Sequence, residues 1–291
     1  MLFEETLLQY ENYVKEAVEE LFKTAFSKQL NENDLLLVLQ NGLKQNYSAE
    51  TLKRLKITQY SIGPDYIGLR YNSFYDFINQ YRKAIFKKSD HIDEINKQHA
   101  DRKYFYNYFI EQELLIYLKF WETDLILRRL YNLSRLARGL NYSWDYSQNL
   151  FNERRKLVKM EIQKNLQNIT PKFCQLIEDI YSRQLRNAIA HSQYYLLYDT
   201  IILTNKSDKP FYKIHSIELK DWEVLFHKNI LFYNYLIHFL NEYSTIYQNL
   251  AEDKQNGLMI IFPDKNIKGN NETGWVRYDK AVSRWNWNNN T

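Results

Sequence analysis

Glycine and proline are scarce in this chain, and that scarcity is what most constrains its fold. The 291 residues include seven glycines and four prolines. Chains with many strands and tight turns need more of both, because glycine reaches turn conformations that other residues avoid and proline presets turn geometry. The composition therefore favours a mainly α-helical fold.

Apolar residues recur every three to four positions along much of the sequence, which is typical of amphipathic helices. This spacing predicts helices over residues 4–27, 104–138, 146–167, 171–191 and 220–251. A shorter helix is predicted to follow Asn31 or Asn33 and to run through Leu43, and another to follow Ser48. Gly139 is predicted to end the second of the long helices. Residues 195–204 and 211–219 are rich in β-forming residues around a Lys-Ser-Asp-Lys-Pro turn and predict a small β-hairpin insertion. Residues 259–262 predict a further strand.

A polar, charge-rich stretch near residues 88–100 predicts a boundary. It divides the chain into an additional N-terminal helical region (1–100), a helical bundle (101–255) and a C-terminal extension (256–291). In that extension the tryptophans lie among basic residues, which suits either packing or base stacking.

Several classes of protein are disfavoured by simple counts. The only cysteine, Cys174, cannot form an internal disulfide or a cysteine-cluster metal site. No histidine spacing suits a shared metal ion, and no glycine-rich phosphate loop is present, so we expect neither metal nor cofactor. No apolar run approaches the ~20 residues of a membrane span, and the acidic start does not resemble a secretory leader. We expect a soluble, cytoplasmic protein, whose net charge of +4 permits an anionic partner without requiring one.

The stretch from Tyr181 to Tyr195 holds the most suggestive chemistry. On a helical wheel with Leu185 directed to the core, Ile177, Tyr181, Ala188 and Ile189 share the core side. The opposite sector contains Arg183, Arg186, Asn187, Ala190 and His191. One helix is therefore predicted to pack its apolar side and to present two arginines, an amide and an imidazole on the other.

These groups suit RNA cleavage without a metal. Imidazole titrates near neutral pH and can move a proton to or from the 2′-hydroxyl or the leaving 5′-oxygen. A guanidinium can bind the scissile phosphate and stabilise its added charge, while the substrate supplies the nucleophile. It stays open that the motif has no function, because this Arg-to-His spacing arises by chance in roughly half of such chains. A histidine in a last helical turn also complements the helix dipole.

The run from Leu185 to Ser192 resembles the signature of the HEPN superfamily (higher eukaryote and prokaryote nucleotide-binding domains). That signature is an arginine, a polar residue and, a few positions later, a histidine, near the end of a helix in a four- or five-helix bundle. The resemblance covers residues 101–255. It implies a metal-independent endoribonuclease that acts as a homodimer and leaves 2′,3′-cyclic phosphate ends. Arg186 and His191 would be catalytic, and Asn187 would be a polar helper that orients the substrate or the imidazole.

The resemblance further implies a toxin or phage-defence effector, with an antitoxin or other defence-system protein as a partner. Members paired with a nucleotidyltransferase antitoxin often carry a tyrosine two residues after the histidine. Here Gln193 occupies that position. For RNA contacts the sequence predicts Arg183 and the basic helix residues Arg154, Arg155 and Lys159. The alternatives are a catalytically inactive HEPN-like nucleotide-binding or protein-interaction scaffold, and a purely structural helical protein.

Overall fold

The structure is a computed structural model that describes residues 3–55, 58–62, 99–144, 156–209, 212–264 and 270–288. Most of its regular structure is helical, which confirms the mainly α prediction. The helices are α1 (Phe3–Lys28), α2 (Asp34–Leu39), α3 (Ala49–Leu55), α4 (His99–Glu122), α5 (Asp124–Ala137), a π-helix (Leu157–Lys164), α6 (Pro171–Ile180), α7 (Arg183–Ala190) and α8 (Leu219–Glu252).

Small antiparallel sheets complete the described part of the chain. The first pairs β1 (Leu43–Lys44) with β2 (Tyr60–Ser61). The second has the order β3 (Tyr194–Leu197), β4 (Thr200–Leu203) and β5 (Ser216–Glu218), and the third has the order β6 (Leu258–Pro263), β7 (Asn271–Asp279) and β8 (Arg284–Trp287).

Some element boundaries follow the sequence closely. The predicted first helix is confirmed as α1, and Ser48 caps α3 by accepting a hydrogen bond from the Thr51 N–H at 3.2 Å. Gly139 has a φ of +70° just beyond α5, as expected of a glycine that ends a helix. The second helix was predicted to reach Leu43, but α2 ends at Leu39 and Leu43 lies in β1.

The prediction of a single helix over residues 104–138 is wrong, because Thr123 separates α4 from α5. The Thr123 hydroxyl donates to the carbonyl of Lys119 at 2.6 Å, and the Thr123 carbonyl accepts from the N–H of Ile126 at 3.1 Å. A threonine that bonds to the backbone in this way competes with the regular helix pattern. Asp124 then lies in the first turn of α5, where an acidic side chain complements the helix dipole.

The predicted two-stranded hairpin is a three-stranded sheet. Its first run divides into β3 and β4 at a two-residue turn, where Tyr198 has a φ of +51° and Leu197 pairs with Thr200. Such turns usually carry Asn-Gly or Asp-Gly. Tyr198-Asp199 gives no comparable signal, so the extra turn was missed.

Two compact units make up the chain, and each consists of three segments. The first unit contains residues 1–11, 66–126 and 178–231, and the second contains 12–65, 127–177 and 232–291. The units interleave along the chain, so neither coincides with one of the contiguous ranges predicted above. The division into domains at residues 100 and 255 stays a prediction.

The first unit has an aromatic core around α4. The ring of Tyr117 meets that of Trp222 at 5.7 Å, and Trp121 meets Tyr181 at 4.8 Å. All four side chains are buried, and the inner face of the β3–β5 sheet adds buried Ile201. This packing is what holds the chain segment around residues 181–191 against α4.

In the second unit, Phe22 of α1 packs between Phe239 and Tyr243 of α8, at 5.7 and 5.5 Å. Two tryptophans of the C-terminal extension take part in this unit's packing. Trp285 is buried, and Trp287 meets Phe262 edge-on at 5.5 Å. The sequence left packing and base stacking open for these tryptophans, and the contacts of Trp285 and Trp287 agree with packing. None of the described helices combines the length and the apolar character needed to cross a membrane.

Candidate functional site

The helix predicted over residues 171–191 is interrupted at Tyr181 and Ser182, so that prediction is corrected to α6 followed by α7. Ser182 is extended, and its hydroxyl caps α7 by accepting a hydrogen bond from the Leu185 N–H at 3.3 Å. Its own N–H donates to the phenol oxygen of buried Tyr117 at 2.9 Å. A capping serine starts a new helix. The helical wheel therefore holds only within α7.

The buried side of α7 contains Leu185, Ala188 and Ile189, as predicted, and also the polar residue Gln184. The Gln184 amide accepts from the Ile214 N–H at 2.9 Å and donates to the Ile214 carbonyl at 2.6 Å. A buried amide requires such partners. These bonds fasten α7 to the segment that connects β4 with β5.

The predicted phosphate-binding residue, Arg186, is already engaged. Its Nη1 forms an ion pair with the carboxylate of Glu122, the last residue of α4, and its Nη2 donates to Asn187 Oδ1 at 2.6 Å. The side chains of Arg186 and Glu122 are 18% and 30% exposed. The Arg186 Nε is buried and has no hydrogen-bond partner among the described residues. The guanidinium is thus held in one orientation, with its charge compensated by a carboxylate.

Tyr212, from the connection between β4 and β5, completes this arrangement. Its hydroxyl accepts a hydrogen bond from Asn187 Nδ2 at 2.6 Å, and the guanidinium of Arg183 lies over its ring at 5.4 Å from the centroid. Arginine stacks favourably on aromatic faces. We refer to Glu122, Arg183, Arg186, Asn187 and Tyr212 as the arginine cluster.

His191 directly follows α7. Its N–H donates to the carbonyl of Asn187 at 3.1 Å, and Ser192, with a φ of +52°, turns the chain away from the helix. The imidazole is exposed and makes no hydrogen bond or ion pair with another described side chain. The structure therefore joins Arg183, Arg186 and Asn187 in one set of contacts, and places His191 one turn after Asn187 with its ring open to solvent.

The tyrosines beyond the motif differ from each other. Gln193 is exposed, whereas the hydroxyl of Tyr194 donates to the carboxylate of Glu111 on α4. Burial, and then this hydrogen bond, raise the pKa of Tyr194. Tyr195 is 49% exposed.

The other predicted RNA contacts lie away from α7 in sequence. Lys159 is part of the π-helix in the second unit, and its side chain is half-exposed. Arg154 and Arg155 lie outside the described residues. A shared RNA track that includes these three and Arg183 stays a prediction.

Sequence reasoning missed Glu122, Tyr212, Gln184 and Tyr117. Glu122 carried no usable signal, because its place at the C-terminal end of a helix, where a carboxylate opposes the helix dipole and calls for a cationic partner, depends on the break at Thr123. Tyr212 and Tyr117 carried none, since their partners are distant in sequence and are brought close only by folding.

Within the ranges that the structure describes, no group of three His, Cys, Asp or Glu side chains is arranged to hold a metal ion. Comparison with protein-family models, with curated proteins and with solved structures gives no match for this chain. The function is therefore argued from the arginine cluster and His191.

Proposed function

We propose that this protein is a metal-independent endoribonuclease with the bundle fold of the HEPN superfamily. It acts on RNA as a cytoplasmic homodimer, as a toxin or phage-defence effector. One observation supports this above the others: a single short helix carries an oriented arginine and its amide helper, and ends at an exposed histidine. This is the order and spacing of groups that the family resemblance implies.

His191 is the proton-transfer group of the proposed reaction. The 2′-oxygen of the substrate attacks the phosphorus and the bond from phosphorus to the 5′-oxygen breaks. One imidazole of the homodimer accepts the proton of the 2′-hydroxyl, and the other donates a proton to the leaving 5′-oxygen. The exposure of His191 supports this role, because a polymeric substrate needs an accessible imidazole.

Arg186 binds the scissile phosphate and stabilises the charge that it gains in the transition state. Asn187 orients the guanidinium, and the 2.6 Å hydrogen bond from Arg186 Nη2 to Asn187 Oδ1 supports this assignment. Arg183, stacked on Tyr212, adds a positive charge for the neighbouring backbone of the RNA.

The test incubates purified protein with total RNA in EDTA. We expect cleavage by the wild type with 2′,3′-cyclic phosphate ends. His191→Ala should lower the rate by about 10²–10⁴-fold, and Arg186→Gln by about 10²–10³-fold. His238→Ala is the matched control, because His238 is an exposed histidine on α8. Circular dichroism of each variant checks that it is folded. Equal cleavage by the wild type, His191→Ala and Arg186→Gln would overturn the proposal.

A second candidate is a catalytically inactive HEPN-like scaffold that binds nucleotides or a protein partner. The ion pair between Arg186 and Glu122 favours it, because a guanidinium whose charge is already compensated also suits a structural role. This candidate gives no RNA cleavage by any variant, retained dimerisation, and ligand binding that weakens in Arg183→Ala or Arg186→Gln.

A further inference from the structure

Arg186 has limited capacity for a new ligand as it stands. A guanidinium offers five N–H donors in a planar fork. Glu122 takes a donor of Nη1, Asn187 takes a donor of Nη2, and Nε is buried. A phosphate binds a guanidinium best through two adjacent donors. The carboxylate of Glu122 therefore occupies part of the fork that a phosphate requires.

Glu122 is also the contact that is easier to release. It lies at the C-terminal end of α4, where the helix dipole disfavours a negative charge, and its side chain is 30% exposed. A displaced carboxylate at this position returns to water without being buried. Asn187 is held by Tyr212 as well as by Arg186, so it stays in place when Glu122 is displaced.

We propose that Glu122 is a latch on Arg186: its carboxylate occupies the guanidinium in the free protein, and an RNA phosphate binds Arg186 by displacing it. The inference rests on the proposed function, because it takes this side of α7 as the RNA-binding face. The exchange replaces one singly charged anion with another, so the compensation of the Arg186 charge is conserved. The bond to Asn187 keeps the guanidinium oriented while Glu122 leaves.

The latch predicts that removal of the carboxylate strengthens RNA binding. Glu122→Gln keeps the size of the side chain but removes the competing charge. Because both partners of the ion pair remain partly exposed, solvent screens their attraction, and we expect the dissociation constant to fall by about 3- to 10-fold. The probe is a single-stranded 2′-O-methyl oligonucleotide, which has no free 2′-hydroxyl and so is bound without being cleaved. Binding is measured by fluorescence anisotropy at constant salt.

Glu113→Gln is the matched control. Glu113 lies on the same helix, and its carboxylate accepts a hydrogen bond from Trp222 at 2.8 Å, so the variant removes the same charge away from Arg186. The double variant Glu122→Gln/Arg186→Gln tests whether any gain depends on the guanidinium. We expect tighter binding in Glu122→Gln only, and loss of that gain in the double variant.

The latch is overturned by any of four results: unchanged or weaker binding by Glu122→Gln, an equal gain in Glu113→Gln, a gain that survives in the double variant, or no binding by any form. Cleavage of unmodified RNA is measured separately and distinguishes the two proposals. Cleavage without tighter binding by Glu122→Gln overturns the latch alone. The expected binding pattern without cleavage overturns the nuclease and leaves the latch standing.

Discussion

Asp34 is a carboxyl group with almost no access to water. It is 2% exposed in the second unit, where it accepts hydrogen bonds from the Tyr142 N–H at 3.2 Å and from Asn31 at 3.1 Å. Burial raises the pKa of Asp34 to about 6, and these hydrogen bonds offset part of the effect. A buried carboxylate is costly, and this one is neutral over a wider range of pH than an exposed aspartate.

The raised pKa of Asp34 makes the stability of the protein depend on pH. An unfolded aspartate has a pKa of about 3.9, so between pH 4 and 6 the folded state binds more protons than the unfolded one. The contribution of Asp34 to the free energy of unfolding is therefore greatest below pH 4 and falls as the pH rises through 6. In Asp34→Asn this dependence disappears, and we expect the variant to gain about 2 kcal/mol relative to the wild type between pH 4 and pH 7.5.

Urea unfolding at these two pH values measures the difference, with exposed Asp253→Asn as the control. A free-energy difference between Asp34→Asn and the wild type that stays constant with pH would contradict the assignment.

The ion pair of Arg186 with Glu122 is a second property that one residue of the motif acquires only in the folded chain. The type and position of Arg186 were predicted from the sequence, but the occupation of its guanidinium donors depends on Glu122, which lies 64 residues earlier. No pattern local to the motif predicts that partner.

Among the elements, α7 owes its start to one side chain. The Ser182 hydroxyl is the cap, whereas the bond from the Ser182 N–H to Tyr117 does not need the side chain. We expect Ser182→Ala to lower the free energy of unfolding by about 1 kcal/mol. Ser182→Gly should lower it by only a few tenths of a kcal/mol, since glycine is an acceptable cap. Thermal and urea unfolding measure both, and Ser216→Ala on exposed β5 serves as the control. Equal stability of Ser182→Ala and the wild type would show that the cap contributes nothing.

Strand β7 contains a glycine that no other residue can replace without a shift of its neighbours. A Cβ at Gly274 would lie 2.6 Å from the ring of Trp287 and 2.9 Å from that of Phe262. We expect Gly274→Ala to cost about 1–3 kcal/mol, because the aromatic rings must move. Its near-ultraviolet circular dichroism should change for the same reason.

Gly139→Ala is the comparison for this prediction. At Gly139 the nearest atom would be 3.6 Å from the added Cβ, so the cost comes from the φ of +70° and not from a clash. That strain amounts to about 1–2 kcal/mol, with no change expected in the aromatic signal. An unchanged aromatic spectrum in Gly274→Ala would refute the close approach of the rings.

Elements were predictable where the signal was local. The period of α1, the Ser48 cap and the terminating Gly139 are set by residues within a turn of one another. The breaks at Thr123 and Ser182 were missed, because threonine and serine are tolerated within helices and only their hydrogen bonds in the fold reveal an interruption.

At the scale of the whole molecule, the chain enters each compact unit three times. Helices α1 and α8 contribute residues to both units, with the divisions after Glu11 and Leu231. A change in composition along the sequence marks only a boundary between contiguous segments. Units that share helices produce no such change, so the sequence does not predict them.

The proposed homodimer gives a prediction at this scale. If two protomers supply the two imidazoles of one site, the specific activity depends on the fraction of dimer and should fall on dilution below the dissociation constant of the dimer. Analytical ultracentrifugation measures that constant, and RNA cleavage over the same range of protein concentration measures the activity. A specific activity that is constant while the dimer dissociates would mean that one protomer forms a complete site.

The sequence by itself determined the helical character of this protein, through scarce glycine and proline and through apolar periodicity, and it located the arginine, asparagine and histidine of the motif. These properties depend on residues that are neighbours along the chain. Only the tertiary structure decided that Glu122 and Tyr212 hold Arg186 and Asn187, and that α7 begins at its own cap. Ion pairs and hydrogen bonds between distant segments form only after packing has brought those segments together.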